Sequence, residues 1–272
     1  MPGLSELVPM TLMLAAVGAF AGVIAGLLGV GGGIILVPAF YHVFGHLGFG
    51  GPSLMQVSLA TSLATIVVTS ARSLAAHARR GAVDGSILRG WAAGIALGAL
   101  VAVPVVARLP TATLQAIFGT LALGVAAYLG LGRADWRIAP AMPEGPRRWL
   151  LAPLVGFLSV LMGIGGGSFG VPLMTLHGVA IHRAVATAAG FGMLIAVPSV
   201  VLFLLTPAAS PPPWTVGSVN LPAFAVIVAM TVLTAPLGAR LAHALDPAPL
   251  RRLFAAFLAV VALNMLRKAA GL

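Results

Sequence analysis

The chemistry on offer in this chain comes from two stretches of backbone more than from any cluster of reactive side chains. The first reads GLLGVGGGIILVP from Gly26 to Pro38, and the second LMGIGGGSFGVP from Leu161 to Pro172. In each, three consecutive glycines interrupt a long apolar run, and a proline follows five residues after the last of them. Glycine costs ~1 kcal/mol relative to alanine inside a helix and lets the backbone leave helical geometry. A helix that restarts after such a break presents N–H groups without intrahelical partners, at Ile34 to Leu36 and Ser168 to Gly170, together with the positive end of its dipole. Both features attract an anion, and glycine lets the anion approach the backbone closely. The expected binding positions are therefore Gly31, Gly32, Gly33 and Ile34 in the first stretch and Gly165, Gly166, Gly167 and Ser168 in the second. Close helix packing is the alternative use of such glycines. It accounts for a pair such as Gly22 and Gly26, but not for three adjacent glycines before a short segment and a proline.

Few side chains could assist. Gln56, Ser58, Thr61, Ser62 and Thr65 follow the first break, and Thr187 and Asn264 follow the second. Ser58, Ser62 and Thr65 recur at four and three residues, one face of a helix, and predict a polar lining opposite the glycine loop. Serine and threonine also satisfy backbone carbonyls of their own helix, so each one singly has a structural reading too. Arg72 is the candidate counter-charge, because a guanidinium grips a sulfonate in bidentate fashion. It also lies near a predicted helix end, where long basic side chains reach for the interface. His42 and His46 stand at i and i+4, but a metal needs a third ligand, and no metal or cofactor is expected. The six histidines form no Ser–His–Asp arrangement, and the chain contains no cysteine, so no catalytic residue is assigned and an enzyme is not expected.

The elements that must position these residues are membrane helices. The chain is 60% hydrophobic and 7% charged, with a mean hydropathy of +1.10, which predicts an all-α polytopic membrane protein in a lipid bilayer. Its net charge of +10 comes from small groups of arginines between apolar runs, which set topology and do not form a nucleic-acid surface. Apolar segments are predicted at about 7–28, 34–44, 53–76, 86–107 and 111–131, and again at 149–162, 168–176, 182–206, 219–240 and 249–268. Ile34 to Phe44 spans only ~16 Å as a helix, half a bilayer.

The two sets repeat each other. Gly22 to Pro38 aligns with Gly156 to Pro172 with 8 of 17 positions identical. SLATS (Ser58 to Ser62) matches AVATA (Ala184 to Ala188), and GAVD (Gly81 to Asp84) matches GSVN (Gly217 to Asn220). The expected organisation is a first repeat over 1–131, a cytoplasmic linker over 132–148 and a second repeat over 149–272. If the short segments count as crossings, the repeats are inverted. Eleven arginines then lie inside, and only Arg108, Arg267 and Lys268 lie outside, as the positive-inside rule favours. Irregular backbone at membrane depth is tolerated only beside protein or a water-filled cavity, so paired breaks predict a site at the repeat interface.

On the two glycine motifs and the SLATS stretch, the sequence resembles the sulfite exporter TauE/SafE family, also called the toluene sulfonate uptake permease family. The similarity extends over nearly the whole chain. It implies a multi-pass permease of the bacterial inner membrane that moves a small anionic sulfur compound such as sulfite or a two-carbon sulfonate. The implied mode is secondary transport by alternating access around the paired breaks, with export as the leading direction. A channel-like anion pore of the same architecture, or uptake of the sulfonate, are the competing expectations, and a homodimer is left open.

Overall fold

The computed structural model describes residues 4–28, 32–49, 51–133, 136–244 and 247–272. Ten helices account for nearly all of it. They are α1 (Leu4–Leu28), α2 (Gly33–His46), α3 (Leu54–Arg79), α4 (Gly85–Arg108), α5 (Thr111–Leu131), α6 (Gly145–Leu161), α7 (Gly167–Leu176), α8 (Ile181–Leu205), α9 (Leu221–Ala244) and α10 (Pro247–Ala269). A two-residue hairpin, β1 (Thr215–Val216) with β2 (Val219–Asn220), precedes α9. Six of the helices are long and apolar enough to cross a membrane, while α2 and α7 are the short ones. Every predicted apolar segment is a helix, and the short pair falls where the glycine motifs placed it.

Local chemistry sets several boundaries. Asp84 caps α4, its carboxylate accepting from the N–H groups of Ser86 and Ile87, and Pro146 occupies the first turn of α6, where its missing N–H costs nothing. The end of α6 is a Schellman cap. Gly163 adopts φ 61°, its N–H donates to Val160, and the Ile164 N–H reaches back to Ser159. The helix therefore stops at the first glycine of its motif, two residues before the triplet.

Packing is internally matched. Exchanging α1 with α6, and so on through α5 with α10, maps the pair α1–α9 onto α6–α4 and α2–α3 onto α7–α8, while α3–α8 and α5–α10 map onto themselves. Glycines hold the closest of these pairs together. A Cβ on Gly22 would overlap Thr231 and Thr234 of α9, and one on Gly156 would overlap the backbone of α4. Gly22 thus serves packing.

Two hydrogen bonds fix the direction of the central pair. Thr61, near the start of α3, accepts the Asn220 N–H that precedes α9, at 3.0 Å. Thr187, near the start of α8, accepts the Asp84 N–H that precedes α4, at 2.9 Å. The head of each central helix thus lies beside the tail of the other, and the two run antiparallel. One face of the molecule collects the arginines: Arg183 lies 3.9 Å from Asp84, Arg251 donates to the Gly132 carbonyl, and Ile138 of the linker bonds Leu176 at the end of α7. The opposite face holds the loops around residues 47–53, 109–110 and 206–218, where Gln56 of α3 donates to Leu109 and Thr111 donates to Pro52.

Candidate functional site

The two re-entrant pairs, α1–α2 and α6–α7, come in from opposite faces and touch at their tips against the middle of α3. Ser62 stands at the contact, its hydroxyl donating to the Gly163 carbonyl at 2.7 Å and lying 3.5 Å from that of Gly33. A Cβ on Gly33 would sit 2.8 Å from Ile66 Cδ1 and 2.9 Å from the Gly163 oxygen, so only glycine lets the tips meet. Beside it Gly32 caps α2 with φ 69°, a left-handed conformation that favours glycine.

Beside and below this contact lies a cavity of ≈ 380 Å³. Its floor is the break Gly165 to Gly167, where α7 begins. Thr69, Ser70, Arg72, Ser73 and His77 of α3 form one wall, and Ala188 of α8 and Thr231 of α9 face them. Arg72 is exposed and His77 half-buried, and they stand at the mouth, on the last turns of α3 toward the arginine-rich face. The N–H groups of Gly167 and Ser168 open α7 without helical carbonyls to bond. The buried Ser168 hydroxyl has no partner among the described residues. Among the described residues no carboxylate lines the cavity. Amide N–H groups, hydroxyls and one guanidinium, with no acid opposing them, suit a small anion.

The residues expected from the sequence fall into three groups. Gly165, Gly166, Gly167 and Arg72 line the cavity. Gly32, Gly33, Ile34 and Ser62 belong to the contact at the tips, and the Ile34 side chain is buried in the core. Gly31 lies outside the described residues. Ser168 is buried at the start of α7, next to the lining glycines but not itself part of the lining, and the remaining three sit elsewhere. Gln56 ties α3 to the end of α4 on the opposite face, Ser58 bonds its own helix at Leu54, and Thr187 holds Asp84. The orphan N–H groups also sit earlier than the motif suggested. Ile35 and Leu36 bond the Gly32 carbonyl, and Gly170 bonds that of Gly166, which leaves Gly33 and Ile34 in α2 and Gly167, Ser168 and Phe169 in α7. Gly166 packs against α8, because a Cβ there would lie 2.5 Å from the Ala188 oxygen and 2.7 Å from the Gly192 nitrogen.

Sequence reasoning missed Ser70, Ser73, His77 and Thr231 as lining residues, and Gly163 as the residue that stops α6. Only the Gly163 role had a signal: in the repeat alignment it is identical to Gly29 and precedes an apolar residue, as a Schellman cap prefers.

A bundle of membrane-length helices enclosing a partly polar cavity, with no acid among its described lining residues, beside re-entrant half-helices defines a polytopic membrane transporter. Residues 14–265 match the family model described as sulfite exporter TauE/SafE, and the chain belongs to that family. It is 32% identical over 254 residues to a probable membrane transporter protein of Haemophilus influenzae, covering 93% of this chain and 96% of the relative. A probable membrane transporter protein of Methanocaldococcus jannaschii is 26% identical over 261 residues, covering 93% and 94% of the two chains. No solved structure matches.

Proposed function

We propose that the chain is a secondary transporter of a small sulfur-containing anion, such as sulfite or a two-carbon sulfonate, in a bacterial inner membrane. Export is the favoured direction. The single observation that carries the reading is the cavity in which Arg72 and the start of α7 share one space, with no acid among the described lining residues. In this reading the anion enters from the arginine-rich face, exchanges water for the N–H groups of Gly167 and Ser168, and pairs with Arg72. Ser70 and Ser73 supply further hydroxyls.

The antiparallel α3 and α8 and the matched helix pairs support an inverted repeat, in which a second cavity would form on the far side of the tips as the first one closes. The tip contact of Gly33, Ser62, Ile66 and Gly163 is then the barrier beside the described cavity. Closure of the tips against each other favours a carrier over an open pore. The test is flux of labelled sulfite and of taurine in proteoliposomes. Saturable uptake with counterflow is expected, and a current that follows voltage linearly without saturation would overturn the carrier.

A further inference from the structure

On the opposite face, two hollows adjoin and share His42 as a common wall. The outer one, ≈ 340 Å³, is lined by Tyr41, His46, Thr111 and Lys268. The inner one, ≈ 400 Å³, runs between α1, α2 and α10 and is lined by Phe20, Ile35, Ala39, Phe257 and Val261. Phe20 is 48% exposed and packs edge-on against Phe257 at 5.9 Å, so the inner hollow is open to its surroundings at the bilayer side.

The outer hollow is basic. Lys268 Nζ stands 5.1 Å from the centroid of the Tyr41 ring. Arg267 reaches Asn264 Oδ1 at 3.4 Å. His42 Nδ1 lies 2.7 Å from the Pro38 carbonyl, which can only accept, so that nitrogen carries the proton and Nε2 accepts from the Asn264 amide at 3.1 Å. His46 Nδ1 donates in the same way to the His42 carbonyl, leaving its Nε2 to the hollow. Among the described residues no acid lines either hollow. The positive-inside bias makes this cluster more telling, since the face carries few basic residues and two of them, Arg267 and Lys268, are placed here.

From His46 to Ile35 the two hollows follow one side of α2 for eleven residues, ~16 Å, which is the depth of one leaflet. A basic mouth at the interface above an apolar channel of leaflet depth fits an amphiphile with an anionic head. We infer that this groove binds one anionic phospholipid, its phosphate at Lys268 and His46 and one acyl chain along Ala39, Val261 and Phe257. A free anion leaves the apolar channel empty, and a neutral lipid leaves the cations without a partner.

The experiment measures lipid retention by native mass spectrometry on the full-length purified chain. The probes are dioleoyl phosphatidylglycerol, dioleoyl phosphatidylcholine and free glycerol 1-phosphate. Phosphatidylglycerol is expected to bind about tenfold more tightly than phosphatidylcholine. The double variant Lys268→Gln with His46→Gln should bring that ratio to about one. Ala39→Phe, which narrows the channel and leaves the cations, should weaken both lipids. Equal retention of the two lipids by the natural chain, an unchanged ratio in the double variant, or glycerol 1-phosphate binding as tightly as phosphatidylglycerol would each overturn the site. None of these readouts depends on transport of a sulfur anion.

Discussion

Gly165 and Gly166 are adjacent, yet the structure gives a methyl group opposite consequences at the two positions. At Gly166 it would meet backbone atoms of α8, the Ala188 oxygen at 2.5 Å and the Gly192 nitrogen at 2.7 Å. No rotamer change can relieve those contacts, and Phe191 between them is stacked on Trp91 at 6.2 Å. Restoring ordinary separation means moving α7 away from α8 by roughly 0.5–1 Å. Overpacking of this kind costs about 1–3 kcal/mol, and an immovable neighbour places Gly166→Ala at the upper end. For a chain of this size that lowers the thermal midpoint by roughly 6–12 °C.

At Gly165 the nearest atom would be Ile66 Cγ2 at 3.2 Å, followed by Gly192 Cα at 3.8 Å and Ser70 Oγ at 3.9 Å. A side chain can give way by tenths of an ångström, so Gly165→Ala should keep its stability to within about 1 kcal/mol. Its methyl enters the cavity beside the start of α7 and should weaken sulfonate binding about tenfold, or ~1.4 kcal/mol. The assay is thermal unfolding followed by tryptophan fluorescence, with equilibrium sulfonate binding on the same purified sample. A Gly166→Ala protein with a native midpoint, or a Gly165→Ala protein as unstable as Gly166→Ala, would refute the reasoning.

The other predictions concern single contacts. Arg72→Lys keeps the charge but loses the fork, and should raise the half-saturating sulfonate concentration several-fold at constant maximal flux, read in proteoliposomes; unchanged transport would assign Arg72 to the interface. Thr61→Val and Thr187→Val each strip the acceptor from a backbone N–H and should cost about 1–3 kcal/mol, seen as lower thermal midpoints without loss of sulfonate affinity in the folded fraction. For Asp84, the hydrogen bond from the Ser86 hydroxyl, then the backbone N–H of Ile87, hold the carboxyl below its usual range. A depressed carboxylate contributes stability above its unfolded value, ~3.9, and loses it as pH falls through the lower folded value. The thermal midpoint should therefore show no Asp84 contribution to its slope between pH 8 and 5. Asp84→Asn, which retains a cap, should flatten only the portion below about pH 4. For topology, Pro211→Cys should react with an impermeant thiol reagent on whole cells and Glu144→Cys should not; the reverse pattern would invert the orientation.

Helix positions were legible because hydropathy and punctuation agree along the chain. The expected segments 86–107 and 111–131 are Gly85–Arg108 and Thr111–Leu131 in the structure. The glycine breaks were legible as breaks, but not the distinct work of each glycine. Gly163 turns the chain, Gly166 touches α8, and Gly165 faces the cavity with only the Ile66 side chain close by, although all three look alike in sequence. The face argument for Ser58, Ser62 and Thr65 found Ser62 at the tips. Ser58 and Thr65 instead bond carbonyls of α3 itself, an outcome that depends on which neighbour covers each turn. Ser70, Ser73 and Thr231 were not singled out because the cavity wall is decided by how α8 and α9 pack on α3. The Thr61–Asn220 and Thr187–Asp84 bonds lay within motifs that the repeat alignment had already paired. Their crossing required knowing that the two central helices run in opposite directions.

That crossing has a consequence for synthesis. Thr61 and Asn220 are 159 residues apart, so at ~5–20 residues per second the hydroxyl of Thr61 waits roughly 8–30 s for its partner to be made. Asp84 likewise precedes Thr187 by 103 residues. A nascent first half must therefore reside in the membrane with both anchor points open, satisfied by water or by the translocation machinery. It cannot lock until α8 and the segment before α9 have been threaded alongside, and a ribosome stalled before α8 leaves an intermediate in which neither crossing bond has formed.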